Sequence, residues 1–453
     1  MSEALWGGRP GKRLLRWTAG RDRELDRRLA RWDLLGSIAH VRGLVLSGVL
    51  DRADGARLLG GLRELLHRVE EGLELPGPLD EDVHSAVERL LVERLGEAGR
   101  RVHAGRSRND QVDVDLRLHA RDRLAVAMEA ILAAARALLR FARRHRGVAW
   151  PGYTHLRPAM PSSPALWAAG LAEAFLDDLE PPWAILRIVD RCPLGSAAGY
   201  GTPLPLPRED VARWLGFDGP VAVVTTVQLS RARLAASALQ ALWPAMRDAA
   251  VLAADVVLRS SPEFGHLVIP GDLATGSSIM PGKRNPDVFE LVRARAAAFE
   301  GRITAAAAVG RGLTSGYHRD LQVTKEPLLH GLEETIELFE TLAWAVPLLR
   351  VDRERCEAAL RGGVLAADEA FRRVREGMPF RDAYREVAGT SREVTSTVPP
   401  ADLLAVRDRP GEAGDPVHPV LPRRADRWAR RLRTRRRRWE RALAELVRDT
   451  LPP

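Results

Sequence analysis

Four short stretches of this 453-residue chain hold side chains able to bind acids or move protons, each at a break between helix-forming segments. Residues 103–111, HAGRSRNDQ, offer Ser107, Arg108 and Asn109 just before a long helical run. Amides at a helix start, joined by a guanidinium, can cradle a carboxylate or phosphate; an N-cap beside a surface arginine is the plainer reading of that stretch alone. Residues 151–156, PGYTHL, form a turn presenting Thr154 and His155, and histidine is the side chain best suited to proton transfer near neutral pH. Residues 275–287, TGSSIMPGKRNPD, gather Ser277, Ser278, Lys283 and Asn285 between glycines, ahead of a helix carrying Glu290. A serine serves as a base only if amides and a cation stabilise its alkoxide, and this loop supplies both. Residues 317–325, YHRDLQVTK, place Tyr317, Arg319, Gln322 and Lys325 around a turn into another helix.

The elements that must position these groups are helical. Residues 112–146 contain no Gly or Pro, and Leu124, Met128, Ile131, Ala135, Leu138 and Ala142 step by three and four along one face. Residues 164–191 read as a second long helix bent at Pro181-Pro182, and 228–260 as a third kinked at Pro244. Residues 287–311, after Asn285-Pro286, and 326–349 complete the set. Ala-rich faces suit close helix bundling and association with other copies. The β-branched run 221–227 reads as a strand or an apolar loop, and the first and last hundred residues as shorter helices. Three parts follow: an N-terminal helical domain 1–105, a central long-helix bundle 106–352, and a small helical domain 353–453.

Composition narrows the classes of function. With 45% hydrophobic and 28% charged residues the chain can bury a large core, and disorder is excluded as a whole-chain reading. Cys192 and Cys356 are too few for a disulfide framework or a cysteine metal cage. No apolar run reaches the roughly 18 residues of a membrane span, and no apolar segment follows the basic N-terminal residues, so a cytoplasmic protein without a signal peptide is expected. The net charge of +9 resides in residues 423–441, where eleven arginines face only Asp426 and Glu440. The rest of the chain is neutral, so nucleic acid is not an expected partner. Trp428, Leu432, Arg435 and Trp439 share one helical side, which leaves most of the arginines facing water.

All four stretches, in this order, resemble the argininosuccinate lyases of the fumarase/aspartase superfamily. The third is similar to the superfamily loop GSSxMPxKxNP; HAGRSRNDQV, GYTHL, YxRDLQxxKEPL and the opening ALWGGR resemble argininosuccinate lyases in particular. The resemblance extends from about residue 4 to residue 383. It implies an all-α, three-domain fold whose central helices form a twenty-helix core in a homotetramer, with each site drawn from several subunits. It also implies elimination of fumarate from argininosuccinate, the last step of arginine biosynthesis. In that chemistry Ser277 is the base and His155 the general acid, with Glu290 as its partner, and Lys283 offsets the dianionic intermediate. Ser107, Arg108, Asn109, Thr154, Ser278 and Asn285 hold the fumarate-side carboxylates, and Tyr317, Gln322 and Lys325 the arginine side. The substrate is a small molecule, and no metal or organic cofactor is implied.

Some positions depart from the family pattern. Asp22 stands where the family has a substrate-binding Ser, with Arg21 beside it; Arg157 replaces a Gln, Gly282 a Gln and His318 an Asn, and Val323-Thr324 replaces an acidic pair. These changes fall mainly on the arginine side, so a lyase of another fumarate-releasing succinyl-amine is the alternative within the same chemistry. A catalytically silent, crystallin-like protein is the alternative outside it, and intact Ser277, His155, Lys283 and Glu290 speak against it.

Overall fold

The computed structural model of the protein describes residues 12–77, 80–390, 399–449 and 451; the opening ALWGGR motif, residues 4–9, lies outside them. The N-terminal part forms α1 (Lys12–Ala19), α2 (Asp22–Asp26), α3 (Ala30–Leu46), α4 (Arg52–Glu70), α5 (Val83–Leu95) and α6 (Glu97–Arg100). The long α7 (Arg108–Arg144) leads into a hairpin of β1 (Trp150–Thr154) and β2 (Arg157–Ser162), then α8 (Pro164–Asp177), α9 (Glu180–Val189) and α10 (Arg208–Trp214). After α11 (Thr225–Arg259) come β3 (Leu267–Val268), α12 (Asp287–Val309) and α13 (Lys325–Ala345). β4 (Arg350–Val351) pairs antiparallel with β3 and precedes α14 (Arg353–Ala358), α15 (Gly363–Arg375), α16 (Phe380–Thr390), α17 (Pro400–Ala405) and α18 (Val420–Arg448). The fold is all-α, with the two small sheets at its margins.

α7 is the axis of the molecule, and its sequence explains why. Ser107 caps it, accepting from the Asn109 amide at 3.3 Å, while the Asp110 carboxylate accepts from the Ser107 amide at 3.0 Å. Its stripe from Leu124 to Ala142 is fully buried against α8, α11 and α13. Each such large apolar side chain contributes about 1.5–3 kcal/mol. Small residues let the rods approach: a Cβ on Gly331 of α13 would meet Leu239 of α11 at 2.5 Å. A second core joins α3, α4 and α5 to α10 and to Cys192 and Leu194. A third lies among α15, α17 and Ala149.

The structure corrects several local expectations. Residues 164–191 are two helices rather than one bent one: α8 ends at Asp177, and Pro181-Pro182 fall in the first turn of α9, where the missing N–H donors cost nothing. Residues 221–227 form no strand; the Val221 amide donates to the Cys192 carbonyl at 2.8 Å, and from Thr225 the run is already helix α11. PGYTHL is not an isolated turn but the first strand and tip of a hairpin. The last hundred residues are not all short helices, because α18 runs for 29 residues across the body. Nor do its arginines simply face water: Arg424, Arg431, Arg435, Arg436 and Arg438 pair with Asp177, Glu180, Asp218, Glu129 and Asp190. A helix laid over an acidic groove satisfies its own charge there.

Candidate active site

The candidate residues fall at two opposite ends of the bundle. Ser107, Arg108 and Asn109 start α7, and Tyr317, Gln322 and Lys325 lie in the turn leading into α13. Acidic residues of the N-terminal part join these two groups. Glu81 pairs with Arg108 at 3.7 Å and with Arg319 at 3.3 Å, and Asp82 with Arg108 at 3.1 Å. Gln322 donates to the Thr18 and Ala19 carbonyls at 2.9 and 3.2 Å. Lys325 is buried, its Nζ 2.6 Å from Asp26 and 2.9 Å from Asp22. Burial pulls this ammonium down, and the two carboxylates more than reverse it, so its pKa is raised. The Arg231 guanidinium lies over the Tyr317 ring at 5.5 Å.

Beneath this surface lies a buried cluster that the sequence reading missed. His84 donates from Nδ1 to Asp33 at 2.8 Å, with Asp115 at 3.8 Å, and Gln111 donates to Asp33 at 2.7 Å. Burial lowers the His84 pKa, yet Asp33, Asp82 and Asp26 hold it raised. Asp115, buried with no hydrogen-bond partner on either oxygen, is pushed well up by burial and by Asp33. The cluster ties α3, α5 and α7 together and so fixes Glu81 and Asp82 in front of Arg108. Its signal in the sequence was the acidic run 80–82 just before His84, at a helix start.

The far end carries the proton-transfer candidates. His155 and Leu156 form the two-residue hairpin tip with φ of 52° and 55°, a left-handed conformation that Asn-Gly usually fills. Non-glycine residues there carry strain, which concentrates at functional sites. Tyr153 anchors the hairpin edge-on against Phe264 at 5.4 Å, and Arg259 sits over Trp150 at 3.7 Å. Thr154 and His155 are thereby presented to solvent.

The Ser277 loop is closed at its base, where Asn285 donates its amide to the Thr275 carbonyl at 3.0 Å and Nδ2 to the Gly276 carbonyl at 3.3 Å. Within it the Ser277 Oγ accepts from the amides of Ile279 and Met280 at 3.3 and 3.2 Å. Gly282, at φ 81°, lets the chain turn back toward Asn285. Ser278, Lys283 and Glu290 are exposed beside it. Among the described residues no hydrogen bond or ion pair joins His155 to Glu290, or Lys283 to Ser277.

The rods set the separation. Ser107 and the hairpin stand at opposite ends of the 37-residue α7, about 55 Å long at 1.5 Å per residue. The 23 residues of α12 put about 34 Å between the Ser277 loop and the turn holding Tyr317. One chain therefore does not assemble all four stretches at one place.

A family model described as Lyase matches residues 17–301. The argininosuccinate lyase of Sorangium cellulosum is 44% identical over 432 residues, 95% of this chain and 100% of that protein. That of Thermotoga neapolitana is 38% identical over 390 residues, 86% of this chain and 98% of that protein. Among solved structures, an EDDS lyase in complex with formate superposes with TM-score 0.73 at 21% identity, covering 97% of this chain and 94% of that one. The class II fumarase of Schistosoma mansoni superposes with TM-score 0.69 at 16% identity, covering 85% and 95%. These structures share the fold. No helix among the described residues is long and apolar enough to cross a membrane. With two curated relatives matched over nearly their whole lengths, and a family model spanning more than half of the sequence, the chain belongs to the argininosuccinate lyase family.

Proposed function

We propose that the chain cleaves argininosuccinate to arginine and fumarate in the cytoplasm, as the last step of arginine biosynthesis. The observation that carries this reading is the Ser277 Oγ held by two backbone amides inside a loop that also bears Lys283. Amides aimed at a hydroxyl stabilise its alkoxide, and Lys283 adds a cation. Ser277 takes the proton from the succinyl carbon beside a carboxylate, and the electron pair passes into that carboxylate as an aci-dianion. The carbon–nitrogen bond then breaks, and His155, supported by Glu290, gives a proton to the leaving guanidino nitrogen. One proton leaves carbon and one reaches nitrogen, so the elimination balances without oxidant or reductant. Ser107, Arg108, Asn109, Thr154, Ser278 and Asn285 hold the two carboxylates of the succinyl part. Tyr317, Gln322 and Lys325 hold the arginine part.

The separation along α7 and α12 supports sites shared between copies, in a homotetramer whose antiparallel partners bring opposite ends together. Exposed Leu229 and Val251 of α11, Leu291 of α12 and Trp344 of α13 supply apolar surface for that packing. Ser277→Ala tests the chemistry: kcat should fall by about 10³-fold or more while the Kd for argininosuccinate stays within a few-fold. Wild-type kcat in this variant would sink the assignment of the base.

A further inference from the structure

A cavity of about 360 Å³ opens where the start of α11 meets the end of α12. Small residues make the meeting close: a Cβ on Gly310 would stand 3.0 Å from that of Ala232. The next residue after Gly310 and the next after Ala232 are arginines, Arg311 and Arg233, and both line the cavity. Both are exposed, and among the described residues neither forms an ion pair. Elsewhere α12 matches its arginines with acids of α13, Arg295 with Glu337 at 2.9 Å and Arg302 with Glu334 at 2.6 Å. Among the described residues no Asp or Glu lines the cavity. The helix ends add little, because the positive start of α11 and the negative end of α12 offset each other there. The charge of the cavity is therefore that of two guanidiniums. Gln228, which also lines it, supplies an independent sign of a ligand. Its side chain is buried, and its Oε1 accepts from Arg231 Nη1 at 3.4 Å, which fixes the orientation of the amide. Its Nε2 is buried with no hydrogen-bond partner. An unmet buried donor is costly, and an acceptor in the cavity removes that cost. Leu229, Leu313 and Leu321 give the cavity an apolar wall, and its volume falls at the lower end of the about 300–1,000 Å³ of small-molecule sites.

We propose that this cavity binds a small organic dianion, with Arg233 and Arg311 on its charged oxygens, Gln228 Nε2 donating to one of them, and the leucines against its carbon body. A planar guanidinium matches a carboxylate or a phosphate equally well, so dicarboxylates and phosphate monoesters share this chemistry. The site is separate from the contacts proposed above for the substrate, since none of Ser107, Arg108, Asn109, Tyr317, Gln322 and Lys325 lines it. Leu229 stands at its edge and is also among the residues proposed to pack between copies, so the assembled protein is the form to test.

The test is calorimetric titration with succinate, glycerol 3-phosphate and, as a singly charged control, acetate. The proteins are wild type, the double variant Arg233→Gln/Arg311→Gln, and Arg108→Gln. Both cavity arginines are exposed, so the double variant should fold and assemble as wild type does. At least one dianion should bind the wild type about tenfold or more tightly than acetate, at a site that weakens about tenfold or more in the double variant and persists in Arg108→Gln. The tighter of the two dianions identifies the head group. The KM for argininosuccinate, followed by fumarate absorbance, should stay within about twofold in the double variant. Dianions that bind no better than acetate overturn the proposal, as does a smaller loss in the double variant. Binding that disappears in Arg108→Gln instead belongs to the succinyl side and also overturns it. A larger rise in KM assigns the two arginines to the substrate itself, with the same result. The titrations decide the proposal even if argininosuccinate is not cleaved, so its failure and that of the lyase reading are told apart.

Discussion

Asp178 shows how much a single buried carboxyl can govern. It caps the C-terminus of α8 beside Asp177 and Asp248, and its Oδ2 is buried with no hydrogen-bond partner. Burial first, then Asp248 and Asp177, push its pKa up to about 7. A carboxyl raised on folding stabilises when protonated, and that contribution is lost as pH rises from the unfolded value near 4 through 7. Asp178→Asn removes the loss. The variant should melt higher than wild type at pH 8, by an amount on the order of 3 kcal/mol in stability, and close to wild type near pH 4. Equal melting temperatures for the two proteins at pH 8 would refute this. At the same scale, the left-handed backbone of His155 sets it at the exposed tip of a two-residue turn.

At the scale of the element, the most buried of the acids that hold α18 gathers several of its contacts. Asp190, fully buried, receives Arg121 Nη1 at 3.0 Å, Trp439 Nε1 at 3.0 Å, and Arg435 and Arg438 at 3.2 Å each. Arg121 also lies over the Trp439 ring at 5.0 Å. Removing this acceptor strands the buried Arg121 guanidinium, while Arg435 and Arg438 keep Asp218; losing one partner of a buried pair costs about 3–5 kcal/mol. Asp190→Ala should therefore lower the Tm by several degrees and increase proteolysis near residue 420. Within the arginine stretch the effects should separate. Arg435→Gln should destabilise measurably, while Arg437→Gln, at an exposed position with no ion pair among the described residues, should leave the melting curve unchanged. Equal effects at the two positions would show that α18 is held by its tryptophans alone. The basicity of this helix is thus in good part fixation to the acidic surface it covers.

For the whole molecule, the decisive feature is that its candidate residues sit at two ends of rods. A lesion at each end tests the shared site directly. Ser277→Ala disables the loop end, and Asn109→Asp places a like charge where we propose that a fumarate-side carboxylate binds. When the two inactive variants are unfolded together and reassembled, sites that draw Ser277 and Asn109 from different copies should recover roughly a quarter of wild-type activity by random mixing. Mixed assemblies verified by mass that show no recovery at any ratio would reject sharing. Neither variant alone should recover.

The sequence by itself determined the helical class and the long central rods, and it supplied the candidate chemical groups. Periods of three and four residues, and polar clusters confined to the breaks, are local properties that survive in any packing. Ser277, His155, Lys325 and their neighbours were legible because their types and spacing fall into dense motifs. The tertiary structure decided what those groups meet. That Lys325 is shared by Asp22 and Asp26, that Glu81 bridges Arg108 and Arg319, and that Asp33, Asp115 and His84 are buried together depends on segments dozens to hundreds of residues apart. A carboxylate in a sequence carries no mark of its partner, since Coulomb attraction depends on distance in space and on burial. The same reason explains α18: its eleven arginines looked like a solvated run, and only folding laid five of them against acids of the body.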